Sequence, residues 1–204
     1  MRGPWRKPQA FAVALVLAAL AIVGCTTGSN FVRPSDGAFV LGRTTHEQIV
    51  KALGKPASTG EALRNGKKID VIRYAYSSVE EGTGPDVVPT RVQVYFFYDN
   101  VLIARSFSST FEEDSSSFDE SKAKRFTKGT TTRAEVINAL GRPSGEYIWP
   151  YVRKDSGVVI GYHHNVTSIV NYKVERYYKQ LVIYFDDADR VRDIKFSYVR
   201  KTDD

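Results

Sequence analysis

The chain has 204 residues, of which 42% are hydrophobic and 25% charged, with a formal charge of +6, three histidines and one cysteine. That length allows one or two small domains. A single cysteine excludes a disulfide inside the chain, and so mild a charge gives no support to a nucleic-acid function.

The first element in chain order is a leader. Arg2, Arg6 and Lys7 precede a 13-residue apolar run, Phe11 to Val23, with no acidic residue before it. A membrane-spanning helix needs about 20 residues, so the run fits the apolar region of a signal peptide over 1–24. It ends in "AIVGC", and a small residue directly before a lone Cys25 resembles the bacterial lipoprotein signal. In that family the cysteine becomes the first residue and carries acyl chains. The alternative is a plain secretory signal with a structural or free cysteine nearby. Removing the leader lowers the charge from +6 to +3 and leaves 180 residues. Residues 25–38 read as a tether.

The next element is written twice. "TTHEQIVKALGKP" begins at Thr44, and "TTRAEVINALGRP" begins at Thr131, 87 residues later. Thr45 with Gln48, and Thr132 with Glu135, have the form of a helix capping box. Ile49, Val50 and Leu53, then Val136, Ile137 and Leu140, share one helical face. Gly54 and Gly141 stand where a left-handed C-terminal cap is wanted, and Pro56 and Pro143 stop the helix. Helices of about nine residues are marginal alone, so each must lie on an apolar sheet.

Strand candidates follow each copy. In the first they are Asp70–Ser78, Arg91–Tyr98 and Val101–Ser108, the last two joined by the turn "DN". In the second, "EYIWPYV" reads as an edge strand because Pro150 cannot donate to a ladder. Tyr177–Phe185 then turns through "DDAD" into Arg190–Tyr198. Val94 with Val182 and Phe97 with Phe185 correspond at an offset of 88, and Phe107 with Phe196 at 89. Asp119–Phe126 adds a short helix before the second copy; before the first, with Pro34 and Gly37, that helix is short or missing. "SVEEGTGPDVVP" and "RKDSGVVIGYHHNVTSIVNYK" read as loops between the first and second strands. The expected fold is therefore α+β: two tandem repeats, 39–110 and 119–204, joined by a linker at 111–118. Each repeat is one or two short helices on a three-stranded antiparallel sheet.

Gly42, Thr44, Thr45, Gln48, Ile49, Leu53, Gly54 and Pro56 resemble the motif of the SmpA/OmlA family of BamE-like lipoproteins. Gly129, Thr131, Thr132, Glu135, Val136, Leu140, Gly141 and Pro143 repeat it. The tandem arrangement is also similar to the β-lactamase inhibitor protein fold, whose two domains grip an enzyme across a shared concave surface. The first resemblance implies an outer-membrane lipoprotein facing the periplasm, with a non-enzymatic role beside the machinery that inserts β-barrels. The second implies an inhibitor or sensor of a periplasmic or cell-wall hydrolase. The motif residues make the fold, so the resemblance speaks to fold more than to partner.

Residues for chemistry are sparse. His163 and His164 are adjacent and would face opposite sides of a strand; exposed loop positions are the plain reading of the histidines. Asp186–Asp189 lacks the glycine and distal glutamate of a calcium loop and sits where a turn is needed. No phosphate-cradling or nucleophile motif is present, and no cofactor or metal is expected. Aromatic residues carry the binding expectation instead, with 12 Tyr and 11 Phe concentrated in strands. A sheet covered on one face leaves the other for docking, with Tyr74, Tyr76, Trp149, Tyr151, Tyr177 and Tyr178 as candidates. The alternative is that these rings pack under the helices or between the repeats. The sequence thus points to a membrane-anchored binding or scaffold protein, with an envelope protein as partner.

Overall fold

Both capping boxes form. In the computed structural model, which describes residues 26–81, 88–114, 117–170 and 173–203, the helices are α1 (His46–Leu53), α2 (Glu120–Ala123) and α3 (Arg133–Leu140). The leader and Cys25 lie outside the described residues. Thr45 Oγ1 accepts from the Gln48 N–H at 3.3 Å, and Gln48 Oε1 accepts from the Thr45 N–H at 2.8 Å. Thr132 and Glu135 repeat the exchange at 3.3 and 2.7 Å. The C-terminal caps differ from the expected left-handed form. Gly54 and Gly141 have φ 78° and 80°, but ψ of −165° and −167°. Only glycine enters that region readily. It sends the chain straight from the helix toward an extended segment instead of curling it back.

The Gly-x-Thr-Thr stretch before each helix has a second task. The Gly42 N–H donates to Leu102 O and the Leu102 N–H donates to Thr44 O, both at 2.8 Å. Gly129, Val191 and Thr131 repeat this pair of bonds at the same distances. The His46 and Arg133 N–H groups donate to Asn100 O and Asp189 O, the ends of the two hairpin turns. Each helix start is thereby tied to the last hairpin of its own half.

The strands are β1 (Thr26–Thr27), β2 (Ser58–Arg64), β3 (Lys67–Ser78), β4 (Thr90–Tyr98), β5 (Val101–Ser109), β6 (Gly145–Tyr147), β7 (Val159–Val170), β8 (Lys173–Phe185) and β9 (Val191–Asp203). They form one antiparallel sheet in the order β1-β3-β4-β5-β6-β7-β8-β9, with β2 sharing the outer edge of β3 with β1. This overturns the expectation of two repeats with separate three-stranded sheets. The β5–β6 ladder, Ala104↔Tyr147, Arg105↔Glu146 and Ser106↔Gly145, fuses the halves. It satisfies edge groups that separate sheets would leave open.

The first half contributes five of these strands, counting the two-residue β1, and the second half four, not three each. β2 carries no apolar alternation, and its residues are mostly exposed. Its signal is the turn Asn65–Gly66, both at positive φ, the dipeptide that two-residue hairpins favour. The segment expected as a long loop in the second half is β7. β6 is internal, and its ladder ends at Tyr147, before Pro150 can interrupt it.

The helices cover one face. Ile49 of α1 packs with Phe39, Ile72, Tyr74, Tyr95, Phe97 and Leu102. Ala123 of α2 and Val136 and Leu140 of α3 pack with Phe118, Ile160, Tyr162, Leu181, Ile183, Phe185 and Val191. The residues expected to form a tether pack on the body from Asn30 onward: Asn30 Oδ1 and Phe31 O accept from Arg91, and the Phe31 ring lies 6.3 Å from that of Tyr74. Phe118 O accepts from Lys179 in the second half, where its ring meets Tyr162 at 5.8 Å. The likeness of the halves thus reaches back to Phe31. Across the junction, Arg33 donates to Pro143 O while Arg142 donates to Pro34 O, and Arg105 pairs with Glu146 at 2.8 Å.

Candidate docking face

The register decides which aromatic rings can meet a partner. Tyr74 lies opposite Gln93, and Ile72 opposite Tyr95, on the face beneath α1. Tyr74 and Tyr76 are only 6% and 7% exposed. The Tyr74 hydroxyl donates to Gly54 O at 2.8 Å, and the Tyr162 hydroxyl donates to Gly141 O at 2.9 Å. Tyr76 stacks on Phe111 at 5.7 Å and donates to Glu81. Both strand tyrosines are core residues, a correction to their expected place on the docking surface. The helices pack on the face of Tyr74, so the rings left for a partner are those on the other face.

That open face runs through both halves. β4 has four consecutive aromatic residues, Tyr95 to Tyr98, so alternation buries Tyr95 and Phe97 and turns Phe96 and Tyr98 outward. The chain after β6 then folds across β4. Asn65 Nδ2 donates to Pro150 O at 2.9 Å and to Tyr151 O at 3.3 Å. Tyr151 lies between Phe96, at 4.7 Å, and Tyr147, at 5.0 Å with planes 22° apart. Trp149 meets Tyr98 edge-on at 5.6 Å and remains 39% exposed. Arg64 stands 5.5 Å from the Tyr151 ring and Lys67 5.8 Å from the Tyr98 ring.

The result is one aromatic patch rimmed by two cations and assembled from β2, β3, β4, β6 and the loop after it. Trp149 and Tyr151, both expected from sequence, belong to it. Phe96, Tyr98, Tyr147, Arg64 and Lys67 were not expected. The run "VYFFY" held their signal, because consecutive aromatic residues on a strand must occupy both faces.

Tyr147 shapes the patch from below. A methyl group at Gly145 would come within 2.0 Å of the Tyr147 hydroxyl oxygen, and one at Gly161 within 3.6 Å of its ring. The ring therefore lies across two paired glycines. Burial raises the Tyr147 hydroxyl above its ordinary value, helped by the neighbouring Tyr151 and Tyr178. Tyr178 is half-buried, on the same face.

Tyr177 is elsewhere: it lies opposite Arg200 near the far end of β8, 37% exposed and 6.3 Å from Tyr198. The histidines stand on elements, not in exposed loops. His163 and His164 are half-buried on β7, and burial lowers both below the ordinary value. Asp186 caps its turn by accepting from the Ala188 and Arg190 N–H groups. Among the described residues no three His, Cys, Asp or Glu side chains gather as a metal site.

Comparison with solved structures adds a distant likeness. No family model matches the chain, and no curated protein matches it. A solved structure of a "putative beta-lactamase inhibitor protein" from Streptococcus mutans is similar at 14% identity, over 76% of this chain and 82% of that one, with a TM-score of 0.39. So remote a likeness carries no function across.

A second concavity lies on the helix side, a cleft of about 610 Å³ between the halves with Phe39, Leu41, Ile137 and Ile148 in its walls. Its charges are already engaged, Arg105 with Glu146 and Arg133 with Asp189. The open face differs in presenting cations over aromatic rings, with Trp149 partly exposed.

Proposed function

We propose that the chain is a membrane-anchored binding or scaffold protein of the bacterial envelope that docks a protein partner on its open sheet face. The observation that carries this reading is the aromatic and cationic patch of Trp149, Tyr98, Tyr151, Arg64 and Lys67. Trp, Tyr and Arg dominate the energy of protein interfaces, and here they crown a surface that no helix covers. Cys25 is taken as acylated and periplasm-facing on the outer membrane, and the protein's field of action, outer-membrane protein assembly or envelope integrity, rests on the resemblance of the two helix motifs to the SmpA/OmlA family.

The test is cross-linking pull-down from native membranes with the original chain and with Tyr98→Ala/Trp149→Ala. A defined envelope complex recovered with the first and lost with the second, at unchanged circular dichroism, supports docking through this patch. Equal recovery with both overturns it. Recovery of a soluble hydrolase in a one-to-one, inhibited complex replaces the assembly role with inhibition.

A further inference from the structure

The β2–β3 hairpin sorts its charges by face. Residues directly opposite in a ladder share a face, and neighbours along a strand alternate. Val71 pairs with Phe96, and Asp70 with Phe97. Asp70 and its opposite residue Glu61 therefore lie on the side of α1, where they line a cleft with His46 and Ile72. Lys68 is on that side too and closes an ion pair with Glu61 at 2.7 Å. The open face receives Arg64, Lys67 and Arg73 from the hairpin and no acidic residue.

Arg64 and Lys67 stand directly opposite each other across the Asn65–Gly66 turn. Like charges in that position weaken a hairpin unless an anion lies between them. Among the described residues no ion pair joins Arg64, Lys67 or Arg73 to a carboxylate, whereas Lys68 on the other face and Arg153 in the loop after β6 each hold one. Arg64 gives one N–H to Leu63 O at 3.2 Å and faces the Tyr151 ring, while Lys67 faces the ring of Tyr98. A guanidinium has five N–H donors and an ammonium three, so donors remain for an incoming oxygen.

Arg73 is exposed six residues along β3 from Lys67, about 20 Å at a strand's rise of ~3.3 Å per residue. Val71 turns to the same face between them. An extended peptide repeats its side chains with the sheet's own spacing, so carboxylates six residues apart on such a chain match Lys67 and Arg73. Carboxylates meet these cations in charge-assisted hydrogen bonds, and aromatic side chains beside them pack against Trp149 and Tyr98.

Given the docking role proposed for this face, we infer that its occupant is an acidic, extended segment of the partner protein, with carboxylates meeting Arg64 and Lys67 at one end and Arg73 at the other. The cations select the segment by its charge pattern, and the aromatic patch supplies the adhesion.

The test uses the full chain and a fluorescein-labelled peptide, Glu-Asp-Tyr-Val-Val-Tyr-Glu-Asp, followed by fluorescence anisotropy. Two analogues replace its acids by Gln and Asn, or by Lys. The acidic peptide should bind several-fold more tightly than the amide analogue, and the Lys analogue least. High salt should remove that preference. Arg64→Gln/Lys67→Gln/Arg73→Gln should also remove it at unchanged circular dichroism, while Lys68→Gln, on the opposite face, should keep it. No binding, or equal affinity for the acidic and amide peptides, overturns the inference, and so does a preference that survives the triple substitution. Phosphatidylglycerol vesicles that bind through the same three cations while the acidic peptide does not would assign the face to a lipid surface and overturn it as well. The docking role is judged apart, by the Tyr98→Ala/Trp149→Ala pull-down. A partner lost there, with no acid preference in the peptides, leaves the docking face standing and removes only its acidic occupant. An acid preference beside unchanged recovery does the reverse.

Discussion

The two buried tyrosines show how one hydroxyl defines a residue's role. Tyr74 and Tyr162 each donate to the carbonyl of a helix-ending glycine, Gly54 and Gly141. Removing the donor leaves a carbonyl at the core's edge without its partner. Tyr74→Phe and Tyr162→Phe should each cost about 1 kcal/mol in urea denaturation, with the aromatic packing retained. The histidines supply a pH dependence of definite sign. Burial lowers His163 from 6.5, with Arg33 adding to the shift and a backbone hydrogen bond opposing it. A histidine held below its unfolded value supports folding above about 6.5 and loses that support as pH falls toward the lowered value. Denaturation midpoints should therefore drop from neutral to mildly acidic pH, less steeply in His163→Gln. A flat profile in the original chain would remove the histidine contribution.

At the scale of elements, the helix stop is a backbone device. Gly54 and Gly141 have positive φ and extended ψ, and nothing lies within 4 Å of a methyl group built on either. Substitution by alanine meets no clash, so any loss is conformational. Gly54→Ala and Gly141→Ala should each destabilise by about 1–3 kcal/mol, while Gly37→Ala, equally uncrowded and without positive φ, should change little. The capping boxes add their own share: Thr132→Ala should cost about 1 kcal/mol. These elements were legible because their signals are local. β2 was less so, for its seven residues bury almost nothing and only Asn65–Gly66 marks its hairpin. β7 was misread as a loop because Gly161, His163 and His164 interrupt its apolar pattern, although Ile160 and Tyr162 are core residues.

At the scale of the whole molecule, the halves behave as one sheet. The β5–β6 ladder, the Arg33 and Arg142 exchange and the Trp149 loop tie them on the sheet edge, the helix face and the open face. Unfolding followed by far-ultraviolet circular dichroism and by Trp149 fluorescence should give coincident single transitions. Two separated transitions would show that the ties are weak.

By itself the sequence determined the doubled helices, their N-terminal capping boxes and the places where they stop, the tight turns at Asp99–Asn100 and Asp186–Asp189, and the presence of aromatic residues on strands. All of these depend on neighbours within a few residues, where propensity and periodicity act. The tertiary structure alone decided that β5 meets β6, that Tyr74 and Tyr76 face α1's layer, and that Phe96, Tyr98, Tyr147, Trp149 and Tyr151 converge. Strand alternation separates the two sets of rings but does not say which set is covered. That choice follows from where the helices and the loop after β6 come to rest, through contacts between residues as far apart as Asn65 and Tyr151.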